Sequence, residues 1–311
     1  MKTENSDGQT TDQRRLGSAE VVNTAWLRGL VVPAFNIPYL PMMRHVVRAL
    51  HDTNSFGLIM VARLEWVKFG AIGLETIKNE YDKFKNDRHT RLHLDHVPVI
   101  DEDNMRVDYR AIIKKAIKLG YQSVMVDGSR LPLQENIECT RGIVEIAHET
   151  GIPVEAELGT VMGHEVGHLP YDEIFASGNG FTDPEEASEF VGKTGVDWLS
   201  VAIGNIHGAI SGSAKDKKKI SARLNIDHLK RISQKTRIPL VLHGGTGISG
   251  NFIREGIESG IAKINVATAI RQPYEQGLKK SSTVAQKAVY DAVINIIRNE
   301  LEISGSSALF N

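Results

Sequence analysis

A single cysteine, Cys139, stands among 311 residues, so no disulfide can form within the chain and no thiolate cage can hold a metal. Any metal would have to use histidine and carboxylate ligands. Net charge is nearly absent too: 37 lysines and arginines stand against 38 aspartates and glutamates, and a balance of −1 gives no field to gather nucleic acid or an anionic membrane. The partner to expect is small. No apolar run approaches the roughly 20 residues of a membrane span, and the opening MKTENSDGQTTDQRR is polar where a signal peptide would be apolar. These absences describe a cytoplasmic protein with a disordered tail over residues 1–15.

What the chain does have is one phrase repeated eight times. Short aliphatic or β-branched runs, each closing on a polar residue or glycine, begin at Val31 (VVPAFNI), Gly57 (GLIMVA), Arg91 (RLHLDHV), Ser123 (SVMVDGS), Val154 (VEAELG), Trp198 (WLSVAIG), Pro239 (PLVLHGG) and Ala262 (AKINVAT). A helix over about Ser18–Arg28 leads into the first. Helical periodicity fills Tyr109–Leu119, Leu133–Thr150, Pro184–Thr194, Ile226–Thr236 and Ile253–Gly260. The alternation predicts an α/β protein, a single (β/α)8 TIM barrel over residues 16–311, with its chemistry at the C-terminal ends of the strands. At 41% hydrophobic the chain can bury such a core, and the repeat overrides the two domains that length alone would suggest.

The strand ends are where candidate residues collect. Asn36 ends the first and can bind a substrate oxygen or cap its loop. Arg63, beside Ala62, ends the second as either an anion clamp or a salt-bridge partner. The third carries His93 and Asp95 on one face, and alternation puts His96 on the other, although at the strand's last turn both can reach the mouth. Asp127 ends the fourth and Glu157 the fifth, His207 follows the sixth, and His243 ends the seventh. Three histidines and two further carboxylates converging on one mouth fit a three- or four-ligand zinc-type site with an open position.

Two connections are unusually long. GTVMGHEVGHLPYDEIFASGNGFTDP, after Glu157, reads as a lid carrying His164, Glu165 and His168; a carboxylate there can serve as an acid or base, or simply be solvated. AISGSAKDKKKISARLN, after His207, is either a phosphate-attracting loop or a solvated charge run. After strands seven and eight, HGGTG and NVAT offer glycine amides and the Thr246 and Thr268 hydroxyls as a phosphate cradle.

In this order the motifs HLDH, VDGS, EAELG, TDPEEA, VAIGNIHG, VLHGGTGI and KINVAT resemble the class II zinc-dependent fructose- and tagatose-bisphosphate aldolases, over about Ala34 to Thr268. The resemblance implies reversible cleavage of a ketose (bis)phosphate into dihydroxyacetone phosphate and an aldehyde through a zinc-stabilised enediolate. By motif, His96, His207 and His243 match the zinc ligands, Glu157 an alternative ligand and Asp127 a second-position metal contact. Asp95 matches the acid/base, and Glu165 the loop carboxylate that exchanges the proton at carbon. Gly208, Gly244, Gly245, Thr246, Asn265 and Thr268 match the holders of the phosphate-bearing half, some of them also placing a monovalent cation, Na+ or K+. Asn36 and Arg63 complete the substrate-binding set, and the resemblance extends to a homo-oligomer, dimer or tetramer.

The chain also departs from the pattern. Ala62 stands where many members have serine, and Ala267 where fructose-type members have aspartate. NVAT resembles the tagatose branch, but Ala269 replaces its following acid, and the lid reads HEVGH in place of a run of acids. A Schiff-base aldolase would need a lysine deep in the mouth, whereas Lys263 sits at the start of its strand; a zinc amidohydrolase would need paired histidines where the first strand reads AFNIP. The rival of another class is a non-catalytic phosphosugar-binding or sensor protein that keeps the barrel.

Overall fold

The computed structural model describes residues 15–159, 171–206, 222–245 and 247–310. All eight expected runs are strands: β1 Val32–Asn36, β2 Gly57–Ala62, β3 Thr90–Pro98, β4 Ser123–Asp127, β5 Val154–Leu158, β6 Trp198–Val201, β7 Leu240–Leu242 and β8 Ile261–Val266. They pair in parallel in chain order, and β8 returns to β1 to close the barrel. The helices are α1 Ser18–Leu27, α2 Met43–Asp52, α3 Arg63–Lys68, α4 Leu74–Phe84, α5 Tyr109–Leu119, α6 Leu133–His148, α7 Tyr171–Ser177, α8 Pro184–Thr194, α9 Ile226–Thr236, α10 Gly250–Glu258, α11 Thr268–Leu278 and α12 Ser282–Asn295.

Helices with strong local end signals start and stop where the sequence says. Asp108 accepts from Ala111 N to start α5, which stops at Gly120 with φ +88°; Asp183 caps α8 ahead of Pro184, and Gly195 ends it at φ +69°. The expected α6 and α10 are shifted instead. α6 ends at His148, short of Thr150, ahead of Gly151 in the left-handed region. α10 begins at Gly250, because its polar first turn precedes the apolar residue Ile253 on which periodicity depends.

Strand alternation divides the apolar residues into two bodies. Phe35, Ile59, Val61 and Leu94 face outward against helix residues such as Val46, Leu50, Ile77 and Ile113. Val32, Ala34, Leu58, Met60, Trp198 and Val241 belong to the second body, which Val21, Val22 and Ala25 of α1 close from below. Phe56 and Phe310 join that floor, their rings edge to face at 5.5 Å. Each such side chain contributes about 1.5–3 kcal/mol by burial. Above this apolar floor the interior turns polar, since Asn36, His93, Asp95, Glu155, Glu157, His243, Lys263 and Asn265 are all buried. Groups of that kind are tolerated out of water only when paired.

The C-terminal pair α11 and α12 packs closely because Gly277 has no side chain: a Cβ there would stand 2.4 Å from Ala285 Cα. Gly277→Ala should therefore cost about 1–3 kcal/mol by forcing the helices apart. Gly250→Ala, where a Cβ meets nothing within 4 Å, is the control. Denaturant unfolding checks it, and equal stability of the two variants would refute it.

Candidate active site

The mouth is built around a defect in β3. Leu94 pairs with Val124 and Val97 with Val126, so β3 spends three residues where β4 spends two. The extra residue is a bulge at Asp95 and His96, and His96 adopts φ +28°, a left-handed conformation that a histidine seldom takes. Strict alternation would send His96 to the outer face; the bulge instead brings it beside Asp95. Its ring lies 4.5 Å, centroid to centroid, from that of His243 at the end of β7, edge to face.

Each ring is held from behind by a carboxylate. His96 Nδ1 lies 3.0 Å from Asp127 Oδ2, and Asp127 Oδ1 accepts from Ser129 N at 3.0 Å and Ser129 Oγ at 2.6 Å. His243 Nε2 lies 2.8 Å from Glu155 Oε1, and its Nδ1 lies 3.0 Å from Glu157 Oε2, which also accepts from Ser200 Oγ at 3.2 Å. Asn205 fixes the turn around this ring, donating to the His243 carbonyl at 2.9 Å and accepting from Ile203 N at 2.9 Å.

Asp95 is equally constrained. Asn36 Nδ2 donates to Oδ2 and Asn265 Nδ2 to Oδ1, each at 3.0 Å. Lys263 fixes the second of these amides by donating to Asn265 Oδ1 at 2.6 Å, and its ammonium pairs with Glu155 Oε2 at 2.8 Å. Glu155 and Lys263 thus tie the His243 side of the mouth to the Asp95 side. Lys263 does start low on β8, as the sequence suggests, but its long stem carries the ammonium up beneath the site, where the ion pair engages it.

The electrostatics follow from this packing. Burial opposes the charge on Asp95, but His96, Lys263 and His243 outweigh it and hold the carboxyl below its usual range. Burial opposes charge on His96 also, yet Asp95, the hydrogen bond to Asp127 and Glu157 push it up to about 10. His243 is raised as well, with burial and His96 opposing and Glu155 and Glu157 prevailing. Carboxylates that raise both imidazoles in this way favour positive charge at the centre of the mouth. By contrast His93, low in the barrel, is driven by burial and by Lys263 down to about 3 and bonds Ser123 Oγ at 2.9 Å, a neutral structural histidine.

This donor set fits a divalent cation. Ligand atoms of Asp95, His96 and His243 lie within 4.8 Å of one another, as do those of His96, Asp127 and Glu157 and of His93, Asp95 and Glu155. With His96 Nδ1 facing Asp127 and His243 Nε2 facing Glu155, the rings would hold an ion through the opposite nitrogens, and such carboxylates fix ring orientation. In that arrangement Asp127 would support His96 from behind, although its oxygens also lie in the group with His96 and Glu157.

Of the other expected site residues, His207, Gly208, Thr246 and Glu165 lie outside the described residues, as do His164, His168 and Lys215 to Lys219. Residues 1–14 of the expected tail also lie outside them, while Arg15 pairs with Asp87 at 3.1 Å. Gly244, with φ +67°, and Gly245, where a Cβ would press on Ile264 at 2.9 Å, form the turn after β7. Thr268 opens α11 after β8. Arg63 Nη1 lies 3.5 Å from Asp101 Oδ2, and Arg130 donates to the Asp101 carbonyl at 3.0 Å.

Sequence reasoning passed over Glu155 and Glu65 and weighed Lys263 only as a Schiff-base lysine, too low on its strand. Glu155 and Lys263 were within reach, since each lies two residues before a chosen one, Glu157 and Asn265, on the same strand face. Glu65 is carried by α3, a helix of one and a half turns that periodicity does not reveal.

A closed parallel barrel with paired imidazoles, an anchored aspartate and supporting carboxylates at the strand C-terminal ends defines a barrel protein equipped to hold a cation at its mouth. The family model described as fructose-bisphosphate aldolase class-II matches residues 17–308. The chain belongs to the class II fructose-bisphosphate aldolase family, with an aldolase's barrel and lyase relatives. It is 33% identical over 296 residues to the probable fructose-bisphosphate aldolase of Bacillus subtilis, covering 90% of this chain and 95% of that one. It is 35% identical over 253 residues to a fructose-bisphosphate aldolase of Staphylococcus aureus, covering 80% and 79%. Among solved structures it is similar to the YdjI aldolase from Escherichia coli K12, with a TM-score of 0.72 at 28% identity over 93% of this chain and 98% of that one. Among the described residues no helix is long and apolar enough to cross a membrane.

Proposed function

We propose that this protein is a metal-dependent aldolase that reversibly cleaves a ketose (bis)phosphate to dihydroxyacetone phosphate and an aldehyde. The observation that supports this most directly is the buried Asp95 carboxylate, anchored by two amides beside the His96–His243 pair. His96, His243 and, by its place in the sequence, His207 would hold a zinc-type ion, with Glu157 as the alternative ligand. Bound there, such an ion supplies a Lewis acid for the charge that develops on the substrate oxygens.

The protein's own residues do the rest. Asp95 takes the proton of the C4 hydroxyl as the C3–C4 bond breaks, and its two amide donors keep a lone pair aimed at that proton. Glu165, by its place in the sequence, returns a proton to carbon. Gly208, Gly244, Gly245, Thr246 and Thr268 cradle the phosphate-bearing half, assisted by the N-terminus of α11 and by a monovalent cation, Na+ or K+. Asn265 faces the same half while it orients Asp95. Arg63, partly engaged by Asp101, and the lysines from Lys215 to Lys219 receive a second anionic terminus on the aldehyde half.

Elemental analysis should find about one zinc-type ion per chain, and His243→Ala should remove most of it. Uptake should displace a proton and weaken as pH falls below about 10, where the His96 ring holds its proton, because a protonated ring cannot ligate. Cleavage of fructose and tagatose bisphosphates and of their 1-phosphates should be lost to a chelator and restored by metal. Tight binding of dihydroxyacetone phosphate with no turnover of any of the four would instead indicate a phosphosugar-binding protein.

A further inference from the structure

Glu65 lies in the first turn of α3, three residues past Ala62 at the end of β2, and its carboxyl is buried. Its hydrogen bonds to described residues both fall on Oε2, from Ala62 N at 2.8 Å and from Asn36 Nδ2 at 3.4 Å. The same Asn36 Nδ2 donates to Asp95 Oδ2 at 3.0 Å, so one amide joins Glu65 to the aspartate base. With Oε2 occupied by two N–H donors, Oε1 is the oxygen left to meet a ligand. The register places Ala62 opposite Asp95, so Glu65 stands on the β1–β3 side of the mouth. In an eight-stranded ring β3 lies across from β7, where the phosphate-bearing half is proposed to sit. A substrate anchored there and presenting its C4 oxygen to Asp95 extends its remaining carbons toward β2 and Glu65.

We propose that Glu65 is a specificity-determining residue that binds a hydroxyl on the aldehyde half, on the carbon next to the one whose oxygen Asp95 serves. The inference rests on the aldolase reading above. Burial, with a further push from Asp95, lifts this carboxyl to about 8 against the hydrogen bonds from Ala62 and Asn36. Near neutral pH it is then largely a neutral acid, and because Oε2 accepts twice, the proton resides on Oε1 as a donor. Two carboxyls sharing one amide, one kept charged and one neutral, divide the work between a base and a hydroxyl reader.

The test runs in the condensation direction, with the metal-loaded protein, dihydroxyacetone phosphate as donor and either 2-hydroxypropanal or propanal as acceptor. The readout is the ratio of kcat/KM for the two aldehydes, which differ only in the hydroxyl. Glu65→Ala should lower this ratio by about tenfold or more, the scale of one hydrogen bond in a closed site. Glu65→Gln keeps a carbonyl for Ala62 N and an N–H donor in place of Oε1–H, so its ratio should stay within about threefold of the parent. Thermal unfolding and zinc content show whether both variants are intact. A ratio unchanged in Glu65→Ala overturns the proposal, as does a ratio lost as fully in Glu65→Gln as in Glu65→Ala. No product from the parent with either aldehyde overturns this inference, and if the four ketose phosphates are not cleaved either, the aldolase reading falls with it, whereas turnover with a ratio indifferent to residue 65 defeats the inference alone.

Discussion

Asp95→Asn should leave the protein folded and its metal content unchanged while carbon–carbon cleavage falls by roughly 10²–10⁴-fold, the usual contribution of a positioned base. The carboxylate now accepts from an amide on each side, Asn36 on Oδ2 and Asn265 on Oδ1. An asparagine can accept on only one side. Its own NH2 would face the other amide donor, and neither end could take the C4 proton. One misplaced hydrogen bond costs about 1–3 kcal/mol of stability, too little by itself to unfold a barrel of this size. Proton exchange on dihydroxyacetone phosphate, assigned to Glu165, provides the contrast because it needs no aldehyde and no C4 hydroxyl. Cleavage at the parental rate would remove Asp95 from the reaction. Loss of cleavage together with loss of zinc would mean that its role is to ligate.

The second large effect lies one layer lower. Lys263→Met should destabilise the protein by about 3–5 kcal/mol, because it strands the Glu155 carboxylate in a region where both side chains are 0% exposed. Burial works against that carboxylate, and Lys263 is the first of the charges that hold it ionised far below its usual range. Adding Glu155→Gln to Lys263→Met removes the stranded charge and should recover most of the loss. Urea unfolding of the parent, both single variants and the double variant measures the coupling. If the double variant is no more stable than Lys263→Met, Glu155 and Lys263 do not act as a pair, and the tie between the two sides of the mouth has no energetic weight.

The sequence made the barrel legible because its signal is repeated: eight short apolar runs, each followed by a polar terminus, survive an error in any one of them. Strand-end residues were legible for the same reason, since Asn36, Asp95, Asp127, Glu157 and His243 all fall at equivalent places in the repeat. The short helix α3 and the first turn of α10 were not, because neither has enough turns or apolar residues to show a period. The arrangement of His96 was hidden for a different reason. A bulge depends on how two strands pair, and the pairing of Leu94 with Val124 and Val97 with Val126 joins segments about 30 residues apart. Charge compensation was invisible likewise: Lys263 reads as a low-lying strand residue until the length of its side chain is set against the positions of Glu155 and Asn265.

The bulge in β3 also bears on how such a site could be moved or rebuilt. Grafting aspartate and histidine onto consecutive positions of a regular strand in another barrel would put one side chain inside and the other among the outer helices, whatever their identities. The transplant would have to carry the additional residue and the left-handed turn at His96 as well, with a neighbouring strand able to accept the slip. Within β3 the only residues between Leu94 and Val97 are Asp95 and His96 themselves, so shortening the strand to regular pairing would remove one of the two groups it exists to bring together. For this scaffold, strand length is as much a part of the recipe as residue choice.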